Sequence, residues 1–119
     1  MDDSFHRISM GTKRIEFLRG TLDMLILTTL NQEELHGYAV AERIKLISRD
    51  VLEIDEGSLY PALQRMLARG WIKARWGASD NNRRARYYKI TPKGRRQLED
   101  EVSSFERLAD AIFRVVRSG

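Results

Sequence analysis

The run Asp55–Trp71, DEGSLYPALQRMLARGW, decides how the rest of the chain reads. Leu59, Ala62, Leu63, Met66 and Leu67 recur at three- and four-residue steps, which predicts a helix with one buried stripe. Ser58 is the expected N-cap, its hydroxyl accepting from a backbone amide, and Pro61 then falls in the first turn, where a missing N–H costs little. Asp55 and Glu56 read as acids favoured by the helix dipole, and Gly70 as the stop. Tyr60, Pro61, Gln64, Arg65 and Ala68 are left pointing outward. A helix that opens on small and hydroxylic residues is suited to bringing its N-terminus close to an anionic surface.

Outward from this helix the chain alternates short elements. Before it, Leu18, Leu22, Leu25, Ile26 and Thr29 predict a helix from Phe17 to about Asn31, and Val40, Ile44 and Ile47 predict a second one after Leu35-His36-Gly37. After it, WIKARWG (71–77) places Ile72, Ala74 and Trp76 on one side and Lys73 and Arg75 on the other, as a half-buried strand does. GASDNNRR (77–84) is a polar turn, and RARYYKI (84–90) returns, making a hairpin with a basic tip. Trp71 and Trp76 read as core and wing-base residues. Thr91-Pro92 has the N-cap and N1 pattern of a last helix running to about Arg117. In it Leu98, Val102, Phe105, Ala109, Ile112 and Val116 follow coiled-coil spacing. At ~1.5 Å per residue this helix reaches about 40 Å, longer than so small a body can cover, so a second copy of the chain is the expected partner.

Length and charge bound the function. With 119 residues the chain is expected to hold one domain plus one extra element: a loose arm over 1–13, a winged helix-turn-helix over 14–90, and a dimerisation helix over 91–119. The expected class is mainly α with a small β-hairpin. The net charge of +4 is unevenly placed, since Arg65–Arg96 holds eleven basic residues and one acid, Asp80, for +10, and the remainder carries −6. A local basic block beside an acidic remainder points to a docking face for a polyanion. The absence of cysteine fits a reducing cytosol and excludes disulfides and thiolate metal sites. The longest apolar run, Met24–Leu27, is too short to span a bilayer, and MDDSFHRISMGTKR at the start has no secretion pattern, so a cytoplasmic protein is expected. His6 and His36 have no companion ligands at metal spacing, and no nucleophile or glycine-rich loop accompanies Asp55 and Glu56. No metal, cofactor or catalytic set is expected, and the chain does not read as an enzyme.

Three helices, a basic-tipped hairpin and a terminal helix give the order of a winged helix-turn-helix, in which the helix after the turn enters the major groove and the hairpin lies along neighbouring phosphates. Double-stranded DNA is then the expected partner. Ser58, Tyr60, Pro61, Gln64 and Arg65 are the expected contacts of the recognition helix, and Arg83, Arg84, Arg86 and Lys89 those of the wing. His36 and Tyr38 open the second helix, whose free amides suit a phosphate. Leu22, Leu98, Val102, Phe105, Ala109, Ile112 and Val116 are expected at the dimer interface. The alternative is an assembly module whose basic face meets an acidic protein without DNA, and salt dependence of duplex binding separates the two.

RGTLDMLILTTL, LHGYAVAERI, DEGSLYPALQRMLARGWI and RRARYYKITPKGRRQL, in that order, resemble the PadR-like transcriptional regulators in their short form with a single C-terminal helix. The resemblance covers about residues 17–116. It implies a bacterial repressor, dimeric through its first and last helices, that leaves its operator when an effector, such as a small molecule, binds or the cell state changes. It also implies an effector-facing role for Phe105, which stands where drug-responsive members commonly have Trp. The well-filled seam around Phe105 departs from an open drug cavity.

Overall fold

The computed structural model describes residues 19–119. The expected arm at 1–13, with His6, and the expected helix start at Phe17 and Leu18 lie outside the described residues. The elements are α1 (Arg19–Gln32), β1 (Leu35–His36), α2 (Gly37–Ile47), α3 (Glu56–Ala68), β2 (Ile72–Ala78), β3 (Arg84–Ile90) and α4 (Pro92–Ser118). The fold is mainly helical, as expected. Its sheet has three strands rather than two, in the antiparallel order β1-β3-β2. The added strand pairs Leu35 with Tyr88 and His36 with Tyr87, and its two residues are too few to show alternation in sequence.

One core lies between the helices and one face of the sheet. Ile26 and Leu27 of α1, Val40 of α2, and Leu59, Leu63 and Met66 of α3 are fully buried, with Trp71, Ile72, Tyr88 and Ile90 closing the sheet side. Each such aliphatic side chain contributes roughly 1.5–3 kcal/mol through burial, which is why the stripe read from α3 fixes the helix orientation. Ile47, expected on the core face of α2, is exposed, because the helix ends there. The chain turns away through Arg49 and Asp50, both in the left-handed region (φ 55° and 66°).

The last helix is clamped to the base of the hairpin. Thr91 caps α4, its Oγ1 accepting from the Gly94 amide at 3.0 Å. The Thr91 amide donates to the Trp71 carbonyl at 3.0 Å, and its hydroxyl donates to the Gly70 carbonyl at 2.6 Å. Gly94 is buried against the same Trp71 carbonyl, where no side chain fits. The start of α4 then packs along α1. Two interface expectations change as a result. Leu22 is buried in the chain's own core, and Leu98 is half-buried against that core, so neither is offered whole to a second copy. Val102 and Ala109 are half-buried, whereas Phe105, Ile112 and Val116 are exposed, with Leu108, Phe113 and Val115 beside them.

Candidate nucleic-acid interface

Helix α3 begins at Glu56, and its cap is Asp55, not Ser58. The Asp55 carboxylate accepts from the Ser58 amide at 2.8 Å, so Ser58 supplies the donor that a cap must satisfy. An ionised acceptor makes the stronger bond, and it draws the helix start toward Asp55. Glu56 stands in the first turn, where the dipole favours it. Ser58 itself is half-buried.

Tyr60, Pro61 and Gln64 share the exposed face of α3. Tyr60 is 39% exposed, with its ring against Gly37 at the start of α2. Burial, then the charge of Glu56 and the neighbouring Tyr88, push its hydroxyl above the ordinary phenol range. It is therefore a neutral donor at physiological pH, usable toward a phosphate or base edge.

Arg65, expected to point outward, turns inward. It borders the apolar stripe beside Ala62, and its guanidinium is ion-paired with Asp23 of α1, which is only 4% exposed. The Arg65 Nε is buried without a hydrogen-bond partner. A carboxylate buried to that degree is costly without a cation, and Arg65 supplies one, joining α3 to α1 with most of its side chain covered. Sequence carried no local signal for this pair, whose members lie 42 positions apart.

The wing has two faces. Register pairs Ile72 with Ile90, Ala74 with Tyr88, Trp76 with Arg86 and Ala78 with Arg84 on the core side, and Lys73 with Lys89 and Arg75 with Tyr87 on the other. Arg84 and Arg86 thus lie on the face that Trp76 shares, and Lys89 lies on the opposite one. The Arg84 guanidinium stacks over Trp76 at 4.6 Å and that of Arg86 over Tyr88 at 5.9 Å. Trp76, expected at the wing base, is exposed. Arg83 is exposed in the turn, which closes with the Ser79 amide donating to the Arg83 carbonyl at 2.7 Å and Asn82 at φ 61°.

Acids outside the basic block neutralise part of it. Glu34 receives two hydrogen bonds from Arg75, at 2.8 and 2.9 Å. That hydrogen bonding holds the Glu34 carboxyl below the usual carboxylate range, against the opposing effect of burial. Arg65 and Arg75 are thereby engaged by carboxylates of the fold. His36 has a structural duty: it caps α2, its Nδ1 accepting from the Ala39 amide at 3.3 Å, and its ring meets Tyr87 edge-on at 5.7 Å. Tyr38, one residue into α2, is exposed.

An exposed helix face of Tyr60, Pro61 and Gln64 beside a projecting hairpin that carries stacked arginines defines a winged helix-turn-helix of the DNA-binding class. Residues 26–100 match the transcriptional regulator PadR-like family, and the chain belongs to that family of DNA-binding transcriptional regulators. A transcriptional regulator of Mycobacterium tuberculosis is 32% identical over 97 residues, which span 82% of this chain and 87% of that protein. Among solved structures, a PadR-like transcriptional regulator of Bacillus cereus superimposes with a TM-score of 0.71 at 31% identity, covering 85% of this chain and 96% of that one. A transcriptional regulator of Clostridium thermocellum gives 0.76 at 28% identity, covering 83% and 96%. Among the described residues no helix is long and apolar enough to cross a membrane, and no group of three or more His, Cys, Asp or Glu could hold a metal.

Proposed function

We propose that the protein is a homodimeric, sequence-specific repressor that leaves its operator when an effector binds. In this reading residues 14–90 form the DNA-binding unit and 91–119 the dimerisation helix, whose first turns also belong to the body. Tyr60, Pro61 and Gln64 face base edges, and Arg83, Arg84 and Arg86 meet phosphates. The observation that carries the reading is the exposed face of Tyr60, Pro61 and Gln64 on α3 together with a hairpin whose Trp76 face bears Arg84 and Arg86. An effector would enter at the dimer centre, near Phe105.

Dimerisation rests on α4, which carries Phe105, Leu108, Ile112 and Phe113 uncovered on a helix of 27 residues. Replacing Phe105 and Ile112 by Asp is expected to give monomers in sedimentation, because charge in a desolvated interface costs several kcal/mol. An unchanged dimer would move the interface elsewhere.

The helix and the wing are expected to fail differently. Gln64→Ala should narrow the gap between a duplex selected by the protein from a random pool and random duplex, with a loss of about 1–3 kcal/mol on the selected one. Arg84→Ala should weaken both duplexes alike and flatten the salt slope by about one phosphate's worth. Binding isotherms at several salt concentrations measure both. Duplex binding that is absent at low salt, or indifferent to salt, would instead support assembly with an acidic protein.

A further inference from the structure

The core-side face of the wing starts inside the molecule and ends outside it. At the inner end of the strands it carries the buried Ile72, Tyr88 and Ile90. Farther along, the strands outrun the helical layer, and Trp76 emerges 57% exposed on that same face. Its indole does not complete the core. What it touches is Arg84, stacked at 4.6 Å, and it pairs across the strands with Arg86, which lies over Tyr88. Outward from the buried Tyr88 the face therefore runs Arg86, Trp76, Arg84, arginines alternating with aromatics as the strands leave the core.

Stacking restrains a guanidinium without using its hydrogen bonds. The ring occupies the flat face, and the N–H groups point outward in the guanidinium plane, where phosphate oxygens can meet them in pairs. Arg75 shows the opposite arrangement on the other face: it lies over Tyr87 at 5.0 Å, and its donors are taken by Glu34. The charge on the wing is thus sorted by sheet face. One face has arginines held over aromatic rings and paired with no carboxylate among the described residues, and the other has Lys73 and Lys89 beside an arginine already bound to a carboxylate.

We propose that Trp76 is a positioning residue for DNA binding, holding the Arg84 guanidinium toward the phosphates of duplex DNA, and that the Trp76 face of the wing is the one that meets the duplex. The proposal rests on the reading of the wing as a phosphate contact. It adds to that reading a residue with no charge of its own and the exclusion of the Lys73–Lys89 face.

The test is the affinity of the full chain for random-sequence duplex at several salt concentrations. Trp76→Ala is expected to weaken binding about twofold to fivefold, the size of one lost exposed guanidinium–ring contact, with no change in thermal midpoint, and Trp76→Phe should restore most of it. Arg84→Ala should cost clearly less in the Trp76→Ala background than in the native one, because the stack is already gone. The double variant Lys73→Ala with Lys89→Ala should leave the salt slope unchanged. Equal costs of Arg84→Ala in both backgrounds would overturn the positioning role, and a slope flattened by the lysine variant would overturn the choice of face. If Arg84→Ala has no effect in the native background, the phosphate-contact reading itself fails and the proposal falls with it. That result is distinct from a measurable Arg84 effect that is independent of Trp76.

Discussion

Gly94→Ala is expected to lower the thermal midpoint by about 4–8 °C, against the ordinary rule that alanine improves a helix. Propensity alone would raise stability by about 1 kcal/mol. A Cβ on residue 94, however, would lie 2.0 Å from the Trp71 carbonyl oxygen and 2.8 Å from Ile90 Cγ1. The oxygen is backbone, and the Thr91 amide holds it in place. Relief therefore requires the start of α4 to move away from the sheet, breaking the contacts that join them. Overpacking of this kind costs about 1–3 kcal/mol and more where backbone must shift, and each kcal/mol lowers the midpoint of a domain near this size by about 4 °C or more. A midpoint equal to or above the native one would mean that α4 does not approach Trp71 so closely.

Asp23→Ala is expected to cost about 3 kcal/mol, a large share of the roughly 5–15 kcal/mol that holds a domain together. The variant leaves Arg65 charged in a site made for an ion pair. The estimate stays at the low end of the usual 3–5 kcal/mol because 22% of the Arg65 side chain reaches solvent. Removing both charges should behave differently: Asp23→Leu with Arg65→Met should recover most of the loss, since apolar pairs often replace buried ion pairs at little cost. Urea unfolding of the two single variants and the double measures the coupling. Additive losses would show that the two side chains do not depend on each other.

What was legible in the sequence followed burial. The stripe of α3, the alternation from Ile72 to Ala74 and the Thr91-Pro92 start of α4 are local patterns imposed by a core or a cap, and the structure holds each of them. What was not legible depended on neighbours distant in sequence or on where a neighbouring layer ends. Arg65 looks outward by spacing because the residue that draws it inward is Asp23, on another helix. Leu22 reads equally well as core or interface, since an apolar residue on a first helix serves either, and only packing separates them. Trp76 keeps the alternation of its strand while losing the cover that alternation normally implies. The cap of α3 was misplaced because Asp55 and Ser58 are both good caps three residues apart, and the carboxylate prevails. Of the candidate site, the exposed face of α3 and the basic hairpin were visible in sequence, whereas the sorting of charge between the two faces of the wing required the register.

The Trp71 carbonyl also fixes an angle. For two copies joined along α4, that helix is a lever about 40 Å long whose fulcrum is the Thr91–Trp71 hydrogen bond. A tilt of about 10° at the fulcrum would carry the far end roughly 7 Å, about two base-pair steps of ~3.4 Å. In such a dimer the distance between the two reading heads, and so the spacing of the half-sites they can occupy together, follows from how the first turns of α4 are seated on Trp71 and α1.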